Sequence, residues 1–297
     1  MPDLRLALNA DTTPLSISDT LMFKSVEERA REAFQAGFPA VNVDRSEKDL
    51  TPEKARRILD KYGLQVASGF FHGAFYSPEQ ERTLYEEAVR QAEFSRALGQ
   101  DCLFVSALVS PMERYPLVGR IRREGPVSLS DQQFEQMAQL LERIARLWKE
   151  YGITLCFHPH VATYVEAPHE IDKLMDMTDP ELVCFGPDTG HIVFGGGDPI
   201  ELIERYTSRV GALHVKDVRK KVVEQVREEE LDYRQACARG VWTELGNGDI
   251  DFPALFRLLR DREYSSWVIV ETDHTKLPTA LESSKLSRHY LQEKIGL

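Results

Sequence analysis

The 297-residue sequence has few cysteines, and no two of them are close enough to form a C-x-x-C motif. A cysteine-based metal site and a dithiol redox site are therefore not expected. Cys102, Cys156 and Cys184 lie within apolar runs and are predicted to be buried. A chain of this length can bury a large core without disulfides, so a reducing, cytoplasmic location is expected.

Long apolar runs and long basic runs are also missing. No window of about 18 residues is uninterruptedly apolar, and the N-terminus, MPDLRLALNAD, lacks the features of a secretory signal peptide. The formal net charge is −11, and the short basic segment 219–221 is followed by a run of glutamates. The sequence therefore predicts neither a membrane partner nor a nucleic-acid partner.

What the sequence does contain is a regular alternation of short apolar runs and longer amphipathic runs. Thr51 and Pro52 give one helix an N-cap and a proline at its first position, and glycines follow several helices. The predicted strands cover 4–9, 40–43, 64–71, 102–105, 153–157, 182–185, 210–214 and 267–271. The predicted helices cover 26–36, 52–62, 78–98, 128 or 130 to 151, 170–177, 199–206, 222–238, 253–262 and 283–295.

Eight strand–helix pairs predict a parallel sheet with helical crossovers, either a closed barrel or an open doubly wound sheet. The count of eight and the length favour an α/β fold, a (β/α)8 TIM barrel that forms one domain over residues 1–297. No glycine-rich loop follows the first strand, and the GGG at 195–197 lacks the spacing and lysine of a phosphate loop. The long connection 106–127 is typical of a functional or mobile loop.

Polar residues gather where the predicted strands end, and the ends of parallel barrel strands meet at one rim. Imidazole and carboxylate groups bind Zn, Mn, Co and Fe. Asp188, His214 and Glu271 end three neighbouring strands and are predicted to bind one metal ion with His158; His160 or Glu166 are alternatives to His158. Six of the eight histidines follow predicted strands, namely His72, His158, His160, His191, His214 and His274.

About half of the chain, residues 152–272, resembles the sugar phosphate isomerase/epimerase superfamily of xylose isomerase-like TIM barrels, and within it the inosose dehydratase branch. The matching motifs are, in order, HPH, EIDKLM, DTGH, GGGDP, HVKDVR and GNGDIDF. The first strand, LALNAD, departs from that branch, where Trp-Asn is expected, and this difference concerns the substrate pocket. The resemblance implies a divalent ion, Mn or Co first and Zn, Mg or Fe as alternatives, on His158, Asp188, His214 and Glu271.

The resemblance further implies that the chain removes water from a small polyhydroxy carbonyl compound such as 2-keto-myo-inositol. His158, where many superfamily members carry glutamate, favours dehydration over epimerisation. Such a reaction needs a base for the α-proton and an acid for the departing hydroxyl. The predicted catalytic residues, with roles left open, are His160, His191, Glu271 and Lys216. The predicted substrate-binding residues are His72, Asp44, Arg219 and Trp242.

Several alternatives stay open at this point. Lys216 could instead form an ion pair with Asp217, and Trp242 could belong to the core. A metal-dependent isomerase or epimerase is the second functional reading, an apurinic-site nuclease the third, and a non-enzymatic carbohydrate-binding protein the fourth. The acidic charge counts against the nuclease, and the number of potential ligands at one rim counts against simple sugar binding. A homodimer or homotetramer is conceivable from the outer face and the helix predicted at 222–238.

Overall fold

The computed structural model describes residues 4–18, 20–45, 47–107, 111–121 and 127–297, and in positions 111 and 112 the backbone alone. Its centre is a ring of eight parallel strands. In chain order they are β1 (Arg5–Leu8), β2 (Ala40–Val41), β3 (Gln65–Val66, continued as Gly69–Gly73), β4 (Cys102–Ala107), β5 (Thr154–Phe157), β6 (Val183–Phe185), β7 (Leu213–Val215) and β8 (Trp267–Val270).

The ring closes because the first and last strands are neighbours. Leu8 of β1 pairs with Val270 of β8 on one side and with Val41 of β2 on the other. β2 continues to β3, and β3 to β6 pair in sequence. Parallel bridges, including one from Asp188 to His214, join β6 to β7, and β7 pairs with β8. The predicted barrel is therefore confirmed, and the open doubly wound sheet is excluded.

Helices surround the barrel, and most of them begin and end near the predicted positions. Ser25 caps the first helix in a capping box with Glu28, and Gly37 ends that helix at a φ of 79°. None of the helices within the described ranges is long and apolar enough to cross a membrane. The helices are α1 (Val26–Ala36), α2 (Pro52–Tyr62), α3 (Glu81–Leu98), α4 (Pro111–Arg114), α5 (Asp131–Glu150), α6 (Pro168–Met177), α7 (Thr189–Phe194), α8 (Pro199–Arg205), α9 (Lys220–Glu228), α10 (Tyr233–Arg239), α11 (Phe252–Asp261) and α12 (Ala280–Tyr290).

Two parts of the prediction differ from the structure. The single helix predicted over 222–238 is wrong: α9 and α10 are separate, because Glu230 has a φ of 53° and Asp232 caps a new helix. The short helix α7, directly after β6, was not predicted. The long connection 106–127 carries α4 and a 3₁₀ turn, Tyr115–Leu117; its Gly125 and Pro126 lie outside the described residues.

Small side chains fill much of the barrel interior. Ala7, Ala40, Ala67 and Cys156 point into the same interior cluster as Phe104. Small residues on several strands leave room for the larger side chains of Phe104, Trp267 and Ile269 in the same cluster. This packing forms an apolar floor beneath the rim on which the polar residues gather.

Candidate active site

Three potential metal ligands converge above this floor. Donor atoms of His158, Asp188 and His214 all lie within 4.8 Å of one another, and all three side chains are buried. His158 follows β5, Asp188 follows β6, and His214 lies in β7, so neighbouring strands of the barrel bring them together. A set of two imidazoles and one carboxylate suits a divalent transition-metal ion.

The hydrogen bonds of Asp188 and His158 leave one potential ligand atom of each residue available to the centre of this cluster. Asp188 caps α7, and its Oδ1 accepts the backbone N–H of His191 at 2.9 Å. Within the described part of the chain, its Oδ2 is buried without a hydrogen-bond partner. The Nδ1 atom of His158 lies 3.2 Å from the carbonyl oxygen of Gly186, so its Nε2 is the atom left for a ligand bond. A buried carboxylate oxygen without a hydrogen bond is costly unless a cation meets it, so these residues fit a metal ion.

Glu271 stands beside the cluster, directly after β8. Its Oε2 lies 2.7 Å from Nδ1 of His214, and its Oε1 accepts a hydrogen bond from Asn9 of β1. Burial raises the pKa of Glu271, but Lys216 and His214 outweigh burial and hold that pKa well below its ordinary value. The carboxylate is therefore ionised and contacts His214, whereas the close group of potential ligands consists of His158, Asp188 and His214. A bond from Glu271 to the same metal ion stays a prediction.

Aromatic rings seal the lower side of the cluster. The ring centroid of Phe104 lies 4.2 Å from that of His214 and 5.4 Å from that of His158, and Phe70 lies 5.1 Å from His158. Burial, with the neighbouring His214 next, lowers the pKa of His158 well below its ordinary value. The imidazole is thus neutral, which is the form that binds a metal.

A second group of polar residues adjoins the first around the ammonium of Lys216. Its Nζ donates to Oδ1 of Asp273 at 2.7 Å and lies 2.9 Å from Nε2 of His191. The same Nζ is 3.0 Å from Glu271 and 3.4 Å from Asp188. Burial by itself lowers the pKa of Lys216, but Asp188, Asp273 and Glu271 outweigh it and raise that pKa, so Lys216 is charged.

The DTGH motif explains how Lys216 is positioned. Thr189 Oγ1 donates to the carbonyl oxygen of Lys216 and accepts its backbone N–H, at 2.8 and 2.9 Å. A Cβ atom on Gly190 would lie 2.9 Å from Cγ of Lys216 and 3.0 Å from the Trp242 ring. The close approach of α7 to Lys216 therefore requires glycine at position 190.

His160 lies on the outer side of this group. Its ring centroid is 3.7 Å from that of His191, and its side chain is half-buried whereas His191 is buried. Nδ1 of His160 is 2.6 Å from the carbonyl oxygen of Val161, which leaves Nε2 unengaged by that contact. Burial first, and then Lys216, lowers the pKa of His160, and burial with the nearby His160 lowers that of His191. Both imidazoles are neutral and can accept a proton.

Two of the four predicted substrate-binding residues lie at the β2 and β3 ends of the rim. Asp44 accepts hydrogen bonds from Arg29 at 2.7 Å and from the backbone N–H of Phe70 at 2.7 Å, so both of its oxygens support the fold. His72 is exposed, with its ring centroid 6.0 Å from that of Phe70. A contact of either residue with substrate stays a prediction.

The other two predicted substrate-binding residues belong to the α9–α10 region. Trp242 is buried, with its ring 5.0 Å from that of His191, as the alternative core role requires. Arg219 donates to the carbonyl oxygens of Gly240 and Trp242 and to Thr243, so much of its guanidinium is engaged within the protein. Their roles toward a substrate also stay predictions.

The hydrogen bonds of Asp217 and Glu166 exclude two alternatives that the sequence analysis left open. Asp217 is not the partner of Lys216, because its carboxylate accepts backbone N–H groups of Val218, Gly246 and Gly248. Glu166 does not join the metal cluster, because its two oxygens accept the backbone N–H groups of Gly119 and Ala162.

Sequence reasoning gave no role to Asp273 or Tyr233. Asp273 completes the group around Lys216, and the Tyr233 hydroxyl donates to Oδ2 of Asp273 at 3.2 Å. The position of Asp273 just beyond β8 was a usable signal for the aspartate. Nothing comparable marks Tyr233, because it reaches the site from the inserted helix α10.

We call residues 111–121 and 220–239 together the mouth cap, because they enclose this side of the rim. Arg120 donates to the carbonyl oxygens of Val226 and Leu231, and Arg227 donates to that of Gly119. The rings of Tyr115 and Tyr233 meet with centroids 5.3 Å apart. The two segments therefore hold each other in place.

A closed parallel barrel with imidazoles and carboxylates at the carboxyl ends of its strands defines a TIM-barrel enzyme. The family model of the xylose isomerase-like TIM barrel matches residues 30–293. An inosose dehydratase of Geobacillus kaustophilus is 37% identical over 250 residues, 82% of this chain and 78% of the relative. An inosose dehydratase of Clostridium perfringens is 31% identical over 276 residues, 91% of this chain and 90% of the relative.

The chain belongs to the xylose isomerase-like TIM barrel family, and the curated relatives named above are inosose dehydratases. A solved structure of the IolI protein with a bound zinc atom has the same fold, with a TM-score of 0.70 at 14% identity over 97% of both chains.

Proposed function

We propose that this protein is a metal-dependent dehydratase, a carbon–oxygen lyase that removes water from a keto-polyol such as 2-keto-myo-inositol. The inosose dehydratase relatives supply the substrate class. The observation that carries the proposal is the placement of a buried imidazole–carboxylate cluster next to a half-buried neutral imidazole, His160, at the barrel mouth. Such a site can polarise a ketone and accept the neighbouring proton.

The proposed ligands are His158, Asp188, His214 and Glu271, with Mn or Co as the favoured ion. A divalent ion is supported by the donor set and by the zinc atom in the IolI structure. When bound, the ion would supply Lewis acidity at the ketone oxygen, which makes the adjacent C–H more acidic.

His160 is the proposed base. Among the described residues, the hydrogen bond of its imidazole is made by Nδ1, and its side chain is half-buried whereas that of His191 is buried. His191 is less suited because Lys216 lies 2.9 Å from its Nε2. The α-C–H bond of the substrate breaks and its proton goes to Nε2 of His160.

The departing group is the hydroxyl on the next carbon. As the C–O bond breaks and the C=C bond forms, the imidazolium of His160 gives its proton to the hydroxyl, which leaves as water. Lys216 keeps its protons because three carboxylates raise its pKa, so it is not the acid of this step. Its proposed role is to donate a hydrogen bond to a substrate oxygen. His191 supports the ammonium from the other side.

Incubation of Mn²⁺-loaded protein with 2-keto-myo-inositol tests this proposal. Dehydration gives a conjugated carbonyl product that has lost one water, detected by absorbance and mass spectrometry. An isobaric product would instead favour the isomerase or epimerase. A protein that stays active after complete chelation would contradict the metal-dependent mechanism.

Cytoplasmic location, a homodimer or homotetramer, and the absence of nucleic-acid and membrane partners also stay predictions. Size-exclusion chromatography with light scattering measures the assembly directly.

A further inference from the structure

The second polar group contains a set of potential ligands of its own. Donor atoms of His160, His191 and Asp273 lie within 4.8 Å of one another. They do not favour a second metal ion, because Nζ of Lys216 already contacts His191 and Asp273 at 2.9 and 2.7 Å. These side chains therefore surround the ammonium group of Lys216. We call His191, Asp273 and Lys216 the lysine cradle.

The lysine cradle directly adjoins the proposed metal ligands. Lys216 is hydrogen-bonded on the cradle side, whereas toward Asp188 and Glu271 it lies at ion-pair distances of 3.4 and 3.0 Å. Despite this proximity, Oδ2 of Asp188 forms no hydrogen bond with any residue that the structure describes. The ammonium is thus close enough to compete with a bound cation for both carboxylates, yet its hydrogen bonds point away from them.

Three carboxylates surround the ammonium group of Lys216. Oxygen atoms of Asp273, Glu271 and Asp188 lie 2.7, 3.0 and 3.4 Å from its Nζ. A divalent ion on the proposed ligands would share two of these carboxylates, those of Asp188 and Glu271. In a buried site an excess cation is costly, so Lys216 must be kept at a distance that lets the divalent ion share the carboxylates.

We infer that Asp273 is a positioning residue of the metal site: it holds Lys216 in the cradle so that the ammonium does not occupy Asp188 and Glu271. This rests on the proposed metal ligands and extends them to a residue that touches no metal. Tyr233 supports the arrangement, because its hydroxyl fixes the second oxygen of Asp273 at 3.2 Å. Without Asp273, the strongest remaining partners of Lys216 are the two ligand carboxylates.

Mn²⁺ affinity of four proteins tests the inference: the wild type, Asp273→Asn, Lys216→Met and the double variant. Free Mn²⁺ is counted by electron paramagnetic resonance, with circular dichroism as the check on folding. In the protein that retains Lys216, Asp273→Asn is expected to weaken Mn²⁺ binding roughly tenfold. With Met at position 216 the competitor is gone, and Asp273→Asn should then weaken binding less than about threefold. Lys221→Met, an exposed lysine, is the matched control and should change little.

The pattern separates positioning from simple loss of a negative charge. An equal loss on Asp273→Asn in both backgrounds would mean additive electrostatics and would overturn the inference, as would an unchanged affinity of Asp273→Asn. If Lys216→Met does not fold, Lys216→Gln replaces it as the background without the competing ammonium, and the same comparison decides. The proposed metal site itself fails separately, if the wild type does not bind Mn²⁺ or if Asp188→Asn binds it as tightly as the wild type.

Discussion

The buried ion pair between Arg114 and Glu170 allows a quantitative prediction. Arg114 is fully buried and donates to both oxygens of Glu170, at 2.6 and 3.2 Å, and to the carbonyl oxygen of Val127 at 3.0 Å. Arg114→Met removes these bonds, and among the described residues the backbone N–H groups of Glu166 and Ala167 remain as donors to the carboxylate of Glu170. Breaking a buried pair in this way costs about 3–5 kcal/mol.

The length of the chain allows this loss of unfolding free energy to be converted into a change in melting temperature. With about 2.1 cal/mol/K of unfolding entropy per residue, 297 residues give about 0.6 kcal/mol per degree. Arg114→Met should therefore lower Tm by about 5–8 °C in differential scanning calorimetry. Replacing Glu170 with Gln as well removes the unpaired charge, so the double variant should recover part of that loss.

Arg146→Met is the matched control, because Arg146 forms an exposed ion pair with Glu142 at 3.0 Å on helix α5. Exposed pairs of this spacing contribute about 0.3–0.5 kcal/mol, so Tm should fall by less than about 1 °C. If Arg114→Met lowers Tm no more than this control, the buried pair carries no special stabilisation and the reasoning is refuted.

Three further predictions concern the site. Asp188→Asn should weaken Mn²⁺ binding at least roughly 100-fold, measured by counting free Mn²⁺, because the carboxylate charge is lost; near-normal binding would contradict it. His160→Gln should lower kcat by about 10²–10⁴ while Mn²⁺ affinity stays near that of the wild type, since the base and not a ligand is removed. Burial outweighs the N–H groups of Ala162 and Gly119 and raises the pKa of Glu166 from 4.5 to about 7. Between these two pH values the folded protein binds more protons than the unfolded one, so the contribution of Glu166 to stability falls as pH rises. The Tm of the wild type relative to that of Glu166→Gln should therefore fall between about pH 5 and 8, and a constant difference would contradict the assignment.

The alternation of apolar and amphipathic runs was sufficient to predict the barrel. Each strand is short and apolar because both of its faces are buried, and residues such as Ser25 and Gly37 mark helix ends locally. The strand-end rule also brought Asp188 and His214 together, because neighbouring strands of a parallel barrel place their ends side by side.

What the sequence did not predict depends on contacts between separate loops. The break between α9 and α10 depends on a left-handed residue, Glu230, which local patterns rarely reveal. The choice of Asp273 over Asp217 as the partner of Lys216 follows from where the 245–250 loop folds back onto Asp217. Tyr233 reaches the site because the mouth cap packs across the rim, and no periodicity encodes that approach.

The reciprocal arginine contacts of the mouth cap have a consequence for protein engineering. Arg120 donates to carbonyl groups of the second segment, and Arg227 donates to a carbonyl group of the first. Exchanging one segment alone would therefore leave a half-buried guanidinium without its hydrogen-bond acceptor. Engineering of the mouth cap will therefore require replacing both segments together. Relatives that differ in one segment should carry matched changes in the other.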